Sequence, residues 1–254
     1  MESEVMGNYH ASFGERDGET RPMRVGKVRA VPTLLSPLLA NLFLHYVFDK
    51  WMARTFPRYP WARYADDGVV HCGTEGEARH LLEALGTRFQ ACGLRLHPEK
   101  TRIIYCKDDD RRGTYPETQF DFLGYTFRPR RAKNRYGKCF ITFTPGVSNQ
   151  AAKAMRQTIH GWRIHLKPDK ALEDLSRMFN PVLQGWIHYY GRFYKSAMYP
   201  TLRHMNRALV HWVRRKYKRF HRHRRRAEYW LGRVARRDAQ LFAHWQMGIK
   251  PAAE

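Results

Sequence analysis

The sequence predicts an α+β domain, an antiparallel sheet with helices, followed by an all-α domain. Three observations carry this. Helix-like, hairpin-like and strand-like segments alternate over residues 34–145, while three apolar stripes at helical spacing fill residues 146–254. The charge changes at about the same place. Residues 1–127 hold 17 Lys+Arg and 17 Asp+Glu, which leaves 29 of the 46 basic and 6 of the 23 acidic residues for 128–254. The whole net charge of +23 therefore belongs to the second half, which reads as a binding module joined to a neutral partner.

Residues 1–33 are polar, contain glycine and lack periodicity, so they read as a flexible leader. From residue 34 the pattern changes. Leu38, Leu39, Leu42, Phe43 and Tyr46 recur at three- and four-residue spacing, as on the buried face of a helix, with Ser36 as its cap and Pro37 in its first turn. Two strand-like runs then flank Asp67-Gly68, a dipeptide suited to a hairpin turn. Gly76 to Cys92 reads as a helix with Ala78, Leu81, Leu82, Leu85 and Phe89 on one face and Gly93 at its end. Leu94 and Leu96 alternate as in a strand, Thr101–Cys106 is rich in β-formers, and Phe120–Phe127 suggests a strand pair around Leu123-Gly124. After the basic segment Arg128–Lys138 and a short strand at Phe140–Phe143, helical stripes take over. They are Met155, Ile159, Trp162 and Leu166; then Leu172, Leu175, Phe179, Val182 and Trp186; then Leu202, Met205, Leu209, Trp212 and Tyr217. Pro168, Pro181 and Pro200 mark breaks or first turns.

The chemistry concentrates in Tyr64-Ala65-Asp66-Asp67. Adjacent carboxylates at a hairpin tip repel each other, so a purely structural turn gains little from both. Magnesium changes this balance, because it takes oxygen ligands from carboxylates and substrate phosphates, and two such ions can drive nucleotidyl transfer. An isolated Asp-Asp-Gly would be only a solvated turn. Its surroundings decide otherwise.

Ser36-Pro37-Leu38-Leu39-Ala40-Asn41-Leu42 precedes the hairpin. Helix 77–92, Gly93-Leu94-Arg95-Leu96-His97-Pro98-Glu99-Lys100-Thr101 and Phe122-Leu123-Gly124-Tyr125-Thr126-Phe127 follow it. These ordered blocks resemble the palm of a group II intron-encoded reverse transcriptase (maturase), an RNA-directed DNA polymerase of mobile elements. The resemblance implies a partial palm over 34–145 and a basic helical thumb/maturase (X) domain over 146–254. It makes Asp66 and Asp67 catalytic ligands of Mg2+. It also places Tyr64, Lys100, Leu123 and Gly124 at the nucleotide and primer, where a lysine would favour the departing pyrophosphate charge.

Three departures accompany the match. The family carries a Pro-Gln-Gly-Gly stretch before Ser-Pro, whereas here Val28 to Leu35 has no Gln-Gly pair. The family also places another metal-binding aspartate in an Asp-x-x-x-x-Phe-Asp block on an earlier strand, and residues 1–35 contain none. The fingers are missing as well, so the chain reads as a leader joined to a truncated palm, as an internal deletion would produce. Two-metal chemistry needs ligands converging from separate strands, so polymerisation is expected to be defective and any magnesium weakly held.

In the second half, Asn180-Pro181, Gly185-Trp186-Ile187-His188-Tyr189-Tyr190 and Arg192-Phe193-Tyr194 resemble the maturase domain of the same family. Lysine and arginine release counterions from a phosphate backbone, and interleaved aromatics can stack on unpaired bases. The expected RNA-binding residues are Tyr189, Tyr190, Arg192 and Tyr194 together with the run Arg214, Arg215, Lys216, Lys218, Arg219, Arg222, Arg224, Arg225 and Arg226. Trp186 and Trp212 fit the stripes and are expected in the core.

The implied partners are RNA, group II intron RNA by resemblance, and a DNA primer or target; no membrane and no protein partner is read from the sequence. The four cysteines have no metal or disulfide spacing, which points to reduced thiols and a cytoplasmic protein. No His-Asn-His segment with paired cysteines follows residue 220, so an endonuclease domain has no support. Three readings remain open: a polymerase that needs a complementing fragment, an RNA-binding splicing cofactor, and a nonfunctional mobile-element remnant.

Overall fold

The computed structural model describes residues 4–6, 35–110, 113 and 115–252. It divides into two compact units, residues 1–122 with 128–143, and residues 123–127 with 144–254.

The first unit is α+β. Its elements are β1 (Glu4–Met6), α1 (Leu35–Leu44), a π-helical turn (His45–Asp49), α2 (Lys50–Thr55), β2 (Trp61–Tyr64), β3 (Asp67–Cys72), α3 (Glu75–Ala91) and β4 (Ile103–Tyr105). The sheet order is β2-β3-β1-β4, with each of these pairs antiparallel. Then come β5 (Phe120–Phe122), β6 (Tyr125–Lys133) and β7 (Cys139–Val147), ordered β5-β6-β7; the last two strands run on into the second unit.

Several elements follow from local chemistry. Thr74 caps α3 by accepting from the Glu77 N–H, while the Glu77 carboxylate accepts from the Thr74 and Gly73 N–H groups, a reciprocal capping box. At the other end Gly93 has φ +73° and its neighbour's N–H reaches the Phe89 carbonyl, as a glycine-terminated helix requires. Ala78, Leu81, Leu85 and Phe89 of α3 are buried against Leu44, Val47, Phe48, Met52, Val70 and Cys72.

The structure corrects several expectations here. Leu38, Leu39, Leu42, Phe43 and Tyr46 are exposed, Leu38 at 65% and Tyr46 at 62%. Helix α1 is apolar on more than one side, and the residues buried with α3 and β3 are Leu44 at its end, Val47 and Phe48 of the π turn and Met52 of α2. The helix begins at Leu35, so Ser36 lies inside it rather than capping it, though Pro37 keeps its place in the first turn. Leu94–His97 is irregular, not a strand. Glu4–Met6, inside the expected leader, forms a strand between β3 and β4; three residues are too few to show a period. The rest of the leader lies outside the described residues.

The second unit is helical: α4 (Asn149–Gly161), α5 (Leu172–Tyr190), α6 (Tyr199–Lys216), α7 (Arg224–Arg237) and α8 (Ala243–Gln246). Its core takes Met155 and Ile159 from the first stripe, Leu172, Leu175 and Phe179 from the second, and Leu202, Met205, Leu209 and Trp212 from the third. Leu166 and Val182 are exposed instead. Pro181 does not break α5, which runs through it, and Pro200 stands at the start of α6. No described helix is long and apolar enough to cross a membrane.

A buried polar knot ties the C-terminal segment to α6. The Asn206 amide donates to the Ile249 carbonyl (3.0 Å), and its oxygen accepts from Trp245 Nε1 (2.9 Å) and pairs with His244 Nε2 (2.7 Å). Because that oxygen can only accept, His244 carries its proton on Nε2, and its Nδ1 has no partner. Burial lowers the His244 pKa to about 3. An unfolded chain would protonate the same ring near pH 6.5, so below that pH the unfolded state binds more protons and stability falls. Between pH 7 and pH 5 this should remove roughly 2 kcal/mol, at about 1.4 kcal/mol per unit below pH 6.5. Thermal melts of wild type and His244→Gln over that range check it; equal pH slopes would refute the assignment.

Candidate catalytic hairpin and nucleic-acid surface

The acidic hairpin pairs Trp61 with Val70, Ala62 with Val69, Arg63 with Gly68 and Tyr64 with Asp67. That register leaves Ala65 and Asp66 as the turn and puts Asp67-Gly68 in β3, so the tip lies two residues before the expected Asp-Gly. Ala65 takes φ +52°, a left-handed conformation that costs a non-glycine residue about 1–2 kcal/mol. One side chain offsets this. Arg63 donates through Nη1 to the Ala65 carbonyl at 2.7 Å, and a charged hydrogen bond of that kind contributes about 1.5–3 kcal/mol.

Arg63 is itself held from α1 and the π turn. Its Nε and Nη2 meet both oxygens of Asp49 at 2.7 Å, and Nη1 also reaches Asn41 Oδ1 at 3.0 Å. Asp49 further pairs with His45 Nδ1 at 3.0 Å. The Arg63 and Asp49 side chains are 10% and 15% exposed. Burial alone would raise the Asp49 carboxyl, but hydrogen bonds from Arg63 and His45, with their charges, outweigh it and hold Asp49 below its ordinary value. The π turn matters here, since it sets Asp49 and His45 on the side facing Arg63 while Val47 and Phe48 stay buried.

At the tip, Tyr64 is exposed while Asp66 and Asp67 are half-buried. Their carboxylates supply the oxygen donors that a hard cation takes. Yet among the described residues no group of three or more His, Cys, Asp or Glu side chains converges to hold a metal. The strand beside β3 does not change this. Glu4 pairs with Cys72, five positions from Asp67, roughly 17 Å along the strand. Lys100 is exposed in the turn after α3, and its N–H bonds to the His97 carbonyl.

Leu123 and Gly124 belong to the second unit, where they form a left-handed turn with φ +50° and +77°. Tyr189 donates from its hydroxyl to the Leu123 carbonyl at 3.0 Å, and the Tyr125 hydroxyl donates to the Tyr189 carbonyl. A Cβ on Gly124 would lie 2.6 Å from the Tyr190 hydroxyl, so both the backbone and the close approach demand glycine. Burial, with the adjacent Tyr189, pushes the Tyr190 hydroxyl above its ordinary range. Tyr189 and Tyr190 therefore brace this turn.

Trp212 is fully buried, with its Nε1 donating to the Lys167 carbonyl at 2.8 Å, and Trp186 stacks on Trp162. In the basic run, Arg215, Lys218, Arg219, Arg222, Arg224, Arg225 and Arg226 are exposed, as is Arg192, while Tyr194 is half-buried. Lys216 is engaged otherwise: its ammonium donates to the Pro168 and Lys170 carbonyls at 2.9 and 2.6 Å. Arg214 donates to the His221 carbonyl.

Residues 30–127 match the family model for reverse transcriptase (RNA-dependent DNA polymerase). Residues 152–230 match the model for the group II intron, maturase-specific domain. Together the two matches support a protein like the group II intron reverse transcriptase/maturases. The reverse-transcriptase match falls mostly in the first unit, and the maturase-specific match lies within the second, helical one. The polymerases of this family depend on a divalent metal. A comparison with curated proteins found no match.

The sequence singles out the two aspartates but not the Arg63, Asp49 and Asn41 cluster that holds their turn, because nothing in the chain order says that residue 63 reaches back 14 and 22 positions. Replacing Arg63 by Met leaves the largely buried Asp49 with only His45 as partner and should cost about 3 kcal/mol. Asp49→Asn, which keeps one acceptor, should cost less and should also remove an acid-destabilising step below pH 3.8, where wild type loses the Asp49 contribution. Urea unfolding at pH 7 and pH 3 measures both; an Arg63→Met protein as stable as wild type would contradict the clasp.

Proposed function

We propose that this chain binds structured RNA, of the group II intron class, through its basic helical unit, and that by itself it polymerises DNA poorly or not at all. The observation that carries the reading is the separation of charge. The neutral half bears the acidic hairpin, while the whole excess of +23 falls in residues 128–254, where seven arginines and lysines of the run between 215 and 226 are exposed. Such a surface repels itself unless a polyanion neutralises it.

Asp66 and Asp67 would recruit Mg2+ weakly, and Lys100, Tyr64 and the Leu123-Gly124 turn would face nucleotide and primer as they do by resemblance. The case for defective polymerisation rests on the ligand count. The sequence before the hairpin has no Asp-x-x-x-x-Phe-Asp block, and Glu4 sits at the far end of the neighbouring strand register. Two carboxylates do not fix two ions. A role as RNA-binding splicing cofactor follows directly; a polymerase completed by a second fragment is the competing reading, since the hairpin itself is well held.

Filter binding to a structured intron RNA across a salt series should give affinity that falls steeply, with a log–log slope of roughly −3 or steeper for several phosphate contacts. A slope near zero would dismiss the RNA-binding reading. Primer extension on poly(rA)/oligo(dT) with magnesium should give no product above background. Extension that Asp66→Ala abolishes would show the ligand argument to be wrong.

A further inference from the structure

The second unit also holds a cleft of about 820 Å³ between α6, α7 and the segment after α8. Arg203, Arg207 and Arg214 line it from α6, Arg224 and Glu228 from α7, and Lys250 from the C-terminal segment. The α6 residues recur at four- and seven-residue spacing, so they form a row along one helix face. The opposite wall is fixed, because Asn206 on α6 grips the Ile249 carbonyl next to Lys250.

Two features of the lining define a ligand. Arg203, Arg207, Arg224 and Lys250 make no ion pair or side-chain hydrogen bond with the described residues, and neither does Glu228. Glu228 stands one helical turn from Arg224, yet the two do not pair. Four cations and one carboxylate thus face the same space without neutralising one another. Secondly, no Phe, Tyr or Trp lines the cleft among the described residues, and the His211 ring is already stacked on His165 at 4.7 Å. Base stacking has no platform here; phosphates do.

A lone carboxylate in a phosphate groove repels the ligand unless the ligand offers it a hydrogen-bond donor. The RNA backbone has such a donor, the ribose 2′-hydroxyl, and the DNA backbone has none. We propose that this cleft binds the ribose-phosphate backbone of RNA, with phosphates on Arg203, Arg207, Arg224 and Lys250 and a 2′-hydroxyl on Glu228, and that it thereby selects RNA over DNA. The proposal rests on the RNA-binding reading above and adds where the backbone sits and how its sugar is recognised.

Fluorescence anisotropy of the full chain with labelled oligo(rU) and oligo(dU) of about 20 nucleotides tests it, since the two probes share their base and differ in the sugar. Wild type should bind oligo(rU) more tightly. Arg203→Ala/Arg207→Ala should weaken binding of both polymers about tenfold and make the log–log salt slope shallower by about 1.4, for two phosphate contacts on a single strand. Glu228→Ala should tighten oligo(dU) binding and cut the RNA preference at least threefold. Arg222→Ala/Arg225→Ala, outside the cleft, should lower affinity without altering that preference. Circular dichroism melts guard against misfolding, with Arg207→Gln as the gentler substitute. If wild type binds oligo(rU) but the cleft variants keep its affinity, slope and sugar preference, the cleft proposal is wrong and the RNA-binding reading stands. If wild type binds neither polymer yet retains structured intron RNA on the filter, the cleft proposal alone is wrong; if it retains none of them, both are wrong.

Discussion

The Arg63 guanidinium is the constraint on which the acidic hairpin depends. Two carboxylates side by side push apart, and the turn that presents them bends through a left-handed alanine. Neither condition favours this conformation alone. A planar five-donor group settles it, because one guanidinium can hold the turn carbonyl, a carboxylate on the π turn and an amide on α1 at once. Lysine could not do the same, since a point charge lacks the fork that meets both oxygens of Asp49. The hairpin therefore inherits its position from the helical layer beneath it rather than from turn propensity.

That dependence explains which parts of the structure were legible in the sequence. Helix α3 announces itself through Thr74, Glu77 and Gly93, all local signals, and its buried face follows the 3.6-residue period. The stripes of α4, α5 and α6 were legible for the same reason. The hairpin tip was misplaced because Asp67-Gly68 is the better turn on propensity; the long-range hold on Ala65 overrides that preference. The exposed face of α1 was misread because the helix offers apolar residues in more than one direction, and periodicity cannot say which of them meets the sheet. Pro181 was given too much weight, since one lost backbone bond is small beside the burial of Leu175, Phe179 and Leu183 on the same helix.

The aromatic residues teach a related lesson. Tyr189 and Tyr190, interleaved with basic residues, suggest stacking on RNA bases. The Tyr189 hydroxyl also holds the Leu123 carbonyl, and the Tyr190 ring lies close over Gly124, whose positive φ favours glycine. Tyr189 remains 48% exposed, so one face stays available while its hydroxyl is occupied. Bracing and binding are separate demands on the same ring.

Charge density and recognition also separate. The run from Arg214 to Arg226 is the most basic stretch in the sequence, but Lys216 and Arg214 spend their donors on backbone carbonyls, and the exposed members present a surface with no fixed complement. The α6 pair at 203 and 207 is sparser in sequence and more ordered in space, because helical spacing aligns it and the Asn206 knot fixes the wall opposite. Counterion release rewards the first kind of surface for any polyanion. Discrimination needs the second, where a carboxylate that every phosphate disfavours becomes an acceptor for the one hydroxyl that distinguishes RNA from DNA.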